Sequence, residues 1–199
     1  MARDQGSLVI TLVRHGPSAV ASSARIGASA FRQFIEAEDN AGIVAAPAPP
    51  PSLRADAAAA GVLVSSNLRR AIESARALAP TRDIVMDAIF REAPVPTDLW
   101  GPVRLRPTQW GVVARILWYL GWSGGVEALA EVKERAGVGA ARLAELAHAH
   151  GSVMLVAHGI INLGLARELR RHGWSGPRVP GFGHWASTRY RYKPGRLLG

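Results

Sequence analysis

Three short apolar runs, each stopping abruptly at polar residues, constrain this chain more than any other feature. Ser7–Val13 (SLVITLV) stops at Arg14-His15-Gly16-Pro17, Val62–Val64 (VLV) at Ser65-Ser66-Asn67, and Ser152–Ala157 (SVMLVA) at His158-Gly159. Runs of this length, apolar at consecutive positions and rich in β-branched residues, read as strands buried on both faces, the habit of parallel sheets. Ile84–Met86 is a further candidate strand, and Trp185–Tyr192 reads as a last one near an edge.

Helical patterns fill the intervals. They fall at residues 22–38, with Phe31, Phe34 and Ile35 on one face, and on an Ala-rich piece capped by Ser52 and closed by Gly61. Others run from Leu68 to Ala79, Thr108 to Leu120, Val126 to His150 with a break near Gly137 and Gly139, and Ile160 to Arg171. Four prolines make 93–107 irregular. The alternation predicts an α/β fold, a three-layer sandwich around a mostly parallel central sheet. Its 199 residues suit one domain, here with an apolar helical insertion around 103–122.

Composition narrows the chemistry. Hydrophobic residues make up 48% and charged residues 20%, a globular balance. The absence of cysteine excludes disulfides, zinc–thiolate sites and thiol nucleophiles. The net charge of +9, carried almost entirely by arginine, points to an anionic partner. No helix-turn-helix, zinc-finger or RNP-like pattern accompanies it, and there is no dense basic run, so nucleic acid is not expected. The run Leu8–Val13 is too short for a signal segment, and Arg115 interrupts Trp110–Trp122, so the expectation is a cytoplasmic protein without membrane insertion.

In a parallel sheet the carboxyl ends of the strands share one edge, where ligands bind. That brings together two histidines, His15 and His158, with Arg14 and the helix that carries Arg69 and Arg70. Arginine binds phosphate oxygens as a planar, permanently charged fork. A glycine after each histidine lets the backbone turn and approach a ligand closely. A neutral imidazole attacks phosphorus competently when its other nitrogen is held by an acceptor.

Leu12-Val13-Arg14-His15-Gly16-Pro17-Ser18 resembles the strand-plus-RHG signature of the histidine phosphatase (phosphoglycerate mutase-like) superfamily, with a hydroxyl residue two positions past the glycine. Val64 to Ala75 is similar to that family's second block, in which Arg70 rather than Arg69 aligns with the phosphate ligand. Phe90-Arg91-Glu92 resembles the segment supplying the proton donor, and Leu155-Val156-Ala157-His158-Gly159 the block with the second histidine. The blocks stand in the family's order.

The resemblance implies a phosphoglycerate mutase-like fold and a phosphomonoester hydrolase that needs no cofactor or metal. His15 would become phosphohistidine. Arg14, Arg70 and a protonated His158 would hold the phosphoryl oxygens, with Ser18 and Gly159 as further phosphate contacts. Glu92 would protonate the leaving oxygen. The partners would be a small phosphorylated substrate and inorganic phosphate as product, and a homodimer is compatible with the family.

Some residues depart from the pattern. Ala93-Pro94-Val95-Pro96-Thr97-Asp98 replaces the family's Gly- and aromatic-rich stretch after the acid, which makes Asp98 a rival donor. Ser18 either binds phosphate or caps a turn. The segment Val103–Trp122 holds three of the six tryptophans and reads as a core helix; a lid, a dimer surface or a patch for an apolar substrate tail are its alternatives. His148, His150 and His172 read as exposed, and His184 has no evident place. Other functions on this scaffold are a phosphoglycerate-type mutase, disfavoured by Pro17 where those enzymes carry Glu, and a non-catalytic phospholigand-binding module. A basic binder of nucleic acid or membrane surfaces would leave the site residues without a purpose.

Overall fold

The apolar runs pair with one another. In the computed structural model, which describes residues 7–192, the strands are β1 (Leu8–Arg14), β2 (Val62–Ser66), β3 (Ile84–Asp87), β4 (Ser152–Ala157) and β5 (Ser187–Tyr192). They form one sheet in the order β3-β2-β4-β1-β5. The first four run parallel, and β5 lies antiparallel to β1 at the edge. Residues 1–6 and 193–199, which the single-domain expectation includes, lie outside the described residues.

The pleat sends alternate side chains to opposite faces. Ile10, Leu12, Val64, Val153 and Leu155 meet helices α5 (Leu129–His150) and α6 (Gly159–Arg171). Val13, Leu63, Met154 and Val156 meet α2 (Pro51–Ala59) and α3 (Arg69–Leu78). Both faces are therefore covered, which is why these strands carry no polar alternation. The predicted three-layer α/β sandwich with a mostly parallel sheet is the observed architecture. β5 alone alternates, burying Thr188 and Tyr190 and exposing Arg189.

Two further helices pack together. α1 (Ala28–Asn40) and α4 (Pro107–Tyr119) share an apolar cluster in which the Phe31 and Trp110 rings stack at 6.1 Å. Trp118, at the far end of α4, packs on Ala93 and on Val132 of α5. The apolar 103–122 segment is thus partly core, while Val112 and Ile116 on its outer face are 59% and 54% exposed.

Local boundaries depart from expectation for identifiable reasons. α1 starts at Ala28 rather than residue 22, because Ile26 is held extended by paired hydrogen bonds with Leu105. Ser52 does not cap α2: Pro50 is the cap residue, and Pro51 occupies the first turn, where a missing N–H costs nothing. α4 starts at Pro107 in the same way. α5 runs unbroken through Gly137 and Gly139. A Cβ at Gly139 would stand 3.1 Å from Leu165 and 3.2 Å from Phe90, so this glycine serves helix–helix approach rather than a break. β5 begins after Trp185, whose backbone is left-handed at φ 61°. Among the described residues no helix is long and apolar enough to cross a membrane.

Candidate active site

A cavity of about 580 Å³ opens at the carboxyl ends of the parallel strands. Arg14 and His15 enter it from the end of β1, Arg70 from the start of α3, and Glu92 from the segment after β3; α1 and α4 supply its walls. The volume falls within the range of small-molecule sites, about 300–1,000 Å³.

His15 is buried, with 4% of its surface exposed. Its Nδ1 lies 2.7 Å from the Gly16 carbonyl, which can only accept, so Nδ1 carries the proton and Nε2 keeps its lone pair. Burial drives its pKa down to about 3, aided by the charges of Arg70 and Arg14 and opposed by the Gly16 carbonyl. The ring is therefore neutral at physiological pH, the form a nucleophile needs.

The loop that holds it is tied to α3. The Gly16 N–H donates to Ser74 Oγ at 2.9 Å, and Ser74 Oγ donates to the Arg70 carbonyl at 2.6 Å. Position 16 requires glycine because a Cβ there would stand 2.3 Å from the Trp185 ring.

His158 lies behind His15, with ring centroids 5.0 Å apart. Its Nε2 is 2.9 Å from Ser66 Oγ, which itself accepts the Leu68 N–H at 3.2 Å. The hydroxyl keeps a proton and a second lone pair, so it can pair with Nε2 in either ring tautomer. Burial, then the neighbouring His15, Arg70 and Arg14, hold the His158 pKa well below its ordinary value. This direction disfavours the protonated ring that the resemblance implies.

Three buried nitrogens have no partner among the described residues: Arg14 Nε, Arg70 Nε and His158 Nδ1. Buried polar groups are seldom left unpaired, and this cluster beside one imidazole suits an anion. Arg70 is only 4% exposed. Its other edge is fixed, Nη1 donating to the Glu38 carbonyl at 2.7 Å and both terminal nitrogens reaching Asp39 Oδ1 at 3.3 Å. Arg14 is held through Nη1 by the carbonyl of Phe182.

Glu92 lines the cavity and holds the start of α6. Its Oε1 accepts the N–H groups of Ala93 at 2.9 Å and Ile161 at 3.0 Å; its Oε2 accepts that of Ile160 at 3.2 Å. The cap residue His158 makes no side-chain cap bond of its own, so Glu92 caps this helix from a distance. Gly159, the first residue of α6, follows His158 directly, with the Phe182 ring 3.3 Å from where its Cβ would be. Asp98 does not line the cavity; it forms an exposed pair at 2.9 Å with Arg32, a residue of the cavity wall. Ser18 accepts the Val20 N–H at 3.2 Å within its own turn and does not line the cavity.

Sequence reasoning missed two parts of the site. The first is the segment Phe182–Trp185: besides the Arg14 contact, His184 Nδ1 lies 3.2 Å from the His15 carbonyl, and its ring is 5.5 Å from that of His15. A glycine-flanked aromatic cluster before the last strand was the available signal. The second is the acidic end of α1, where Glu36, Glu38 and Asp39 reach the cavity. Burial raises the Glu38 pKa, opposed by Arg70. Nothing local distinguishes these carboxylates from a solvated helix face.

Fold and site together define an α/β protein with an oriented, neutral histidine in an arginine-lined, anion-ready cavity. The chain belongs to the histidine phosphatase superfamily (branch 1), whose sequence profile matches residues 10–197. Solved structures share the fold. A mycobacterial glucosyl-3-phosphoglycerate phosphatase is 22% identical with a TM-score of 0.60, over 92% of this chain and 89% of that one. A Bacillus anthracis phosphoglycerate mutase is 16% identical with a TM-score of 0.59, over 97% and 92%. An Entamoeba histolytica phosphoserine phosphatase mutant in complex with phosphoserine is 14% identical with a TM-score of 0.57, over 94% and 92%. No curated protein matches the sequence.

Proposed function

We propose that this chain is a metal-independent phosphomonoester hydrolase that works through a phosphohistidine at His15. One observation carries the reading: a neutral His15, its Nδ1 tied to the Gly16 carbonyl, shares its site with three buried nitrogens that have no partner among the described residues, two of them on arginines.

His15 Nε2 attacks phosphorus in line, forming the N–P bond as the P–O bond to the alcohol breaks. Arg14, Arg70 and the His158 N–H hold the remaining phosphoryl oxygens, with the Gly159 amide as a further donor. Glu92 gives its proton to the departing oxygen. It then takes one from the water that attacks phosphorus, which releases inorganic phosphate and regenerates neutral His15. Glu92 Oε2 accepts one N–H where Oε1 accepts two, so Oε2 is the oxygen left to carry the proton. Ser18 shapes the turn in this scheme. Hydrolysis is favoured over phosphoryl return because Pro17 replaces the glutamate of the related mutases.

The test is to incubate the protein with an aryl phosphate and a chelator and to trap the phosphoenzyme. An acid-labile, base-stable adduct is expected in wild type and none in His15→Ala. Arg70→Ala should slow turnover by about 10²–10³, the usual effect of removing a transition-state donor. Undiminished turnover by His15→Ala refutes the scheme.

A further inference from the structure

The cavity is larger than a phosphoryl group needs, and its remaining charges are unevenly engaged. Beyond the phosphate cradle of Arg14 and Arg70, each arginine in the wall already has protein acceptors. Arg32 pairs with Asp98 at 2.9 Å and Arg91 with Asp39 at 3.5 Å. Arg115 donates to the carbonyls of Ala93 and Pro94 and lies over the Trp118 ring. Arg135 pairs with Glu127 at 2.7 Å and donates to the carbonyls of Ile89 and Arg91.

The wall's carboxylates are not all matched in return. Asp39 and Glu127 are engaged by those arginines, and Glu92 by three amides. Glu36 and Glu38 make no ion pair among the described residues, yet both line the cavity. Glu38 is half-buried and Glu36 exposed, and the Glu38 carboxyl lies within the field of Arg70 and Arg14, the cradle residues. With no ion pair of its own, each carboxylate is open to a charge-assisted hydrogen bond from a ligand. A leaving group with a second anion would instead bring like charge into a partly desolvated space.

Resting on the phosphatase reading above, we propose that the leaving group carries a protonated amine received by Glu38 and Glu36, so that the substrates are aminoalkyl phosphomonoesters rather than esters bearing a second anion. An ammonium supplies three donors and the missing positive charge. A neutral polyol supplies donors alone and ranks between the two.

The experiment measures kcat/KM for 2-aminoethyl phosphate, glycerol 2-phosphate and 3-phosphoglycerate with wild type, Glu38→Gln and Glu36→Gln. Wild type should prefer them in that order, by about tenfold or more between the first and last, the effect of one charge-assisted contact. Glu38→Gln should remove most of that preference, and Glu36→Gln a smaller part. Inhibition by 2-aminoethylphosphonate and 2-carboxyethylphosphonate repeats the comparison without turnover and in wild type alone; the amine should bind more tightly. Preference for 3-phosphoglycerate, or tighter binding of the carboxylate inhibitor, overturns the proposal while the His15 phosphoenzyme survives. Equal slowing of all three esters by Glu38→Gln assigns that residue to proton transfer and also overturns it. Absence of a His15 phosphoenzyme with any ester removes the underlying reading instead.

Discussion

Glu92→Gln separates the helix cap that the structure shows on this side chain from the proton transfer proposed for it. The carboxylate accepts three N–H groups, two of them from the first turn of α6. An amide can keep Oε1 facing Ala93 and Ile161, but it then turns an NH2 group onto the Ile160 N–H, at a contact of 3.2 Å. One hydrogen bond is lost and the Ile160 N–H is left without its acceptor, which costs about 1–3 kcal/mol. Equilibrium urea unfolding would show it as a midpoint lower by about 0.5–1.5 M, for a slope near 2 kcal/mol per M. The kinetic consequence is distinct. An alkyl phosphate, whose alkoxide needs a proton, should react about 10²–10⁴ more slowly. A nitrophenyl ester leaves unaided, so the phosphoenzyme should form and then persist for want of a base to activate water. An unchanged urea midpoint would refute the capping argument, and unchanged turnover of alkyl esters would refute the acid–base assignment.

Gly16→Ala sets a Cβ 2.3 Å from a Trp185 ring that is buried and anchored through Nε1 to the Pro47 carbonyl at 3.0 Å. Overpacking of this kind costs about 1–3 kcal/mol, so the melting temperature should fall, with phosphoenzyme yield falling as the His15 ring loses its Gly16 acceptor. Ser66→Ala leaves His158 Nε2 and the Leu68 N–H unpaired; a loss of about 1–3 kcal/mol should accompany slower turnover, and a stability within about 0.3 kcal/mol of wild type would count against it. The histidines also make stability pH-dependent. Folding depresses the His15 pKa from 6.5 to about 3 through burial, so below pH 6.5 the unfolded chain binds more protons than the folded one. The contribution is whole above pH 6.5 and is lost as pH falls toward about 3, by up to about 1.4 kcal/mol per pH unit. Denaturant midpoints measured from pH 8 to pH 4 should therefore drop, and His15→Asn should flatten the curve; an unchanged slope would exclude His15 as its source.

Much of the site was legible because strand ends announce it. His15, Arg14, Arg70 and His158 each lie at or just past the carboxyl end of a buried apolar run, and a parallel sheet brings those ends together whatever the loops do. The sequence leaves Glu92 and Asp98 as rivals, since only the tertiary structure shows which carboxylate lines the cavity and reaches the amides of Ile160 and Ile161. Ser74 was visible as part of a motif, but its bond to the Gly16 amide was not. His184 and Glu38 were illegible because each reaches the site across more than twenty residues of intervening chain, held there by packing rather than by neighbours in sequence.

By itself, then, the sequence determined the period and order of its elements, since consecutive apolar residues of this length bury on both faces and so demand helices on either side. It also determined which residue types could meet at one edge. The tertiary structure alone decided the state in which they meet. Burial holds His15 and His158 in their neutral forms, the Gly16 carbonyl chooses the His15 tautomer, and the acidic end of α1 sets the charge on one wall of the cavity. Those outcomes depend on desolvation and on distances of a few ångströms between remote segments, which no local pattern encodes.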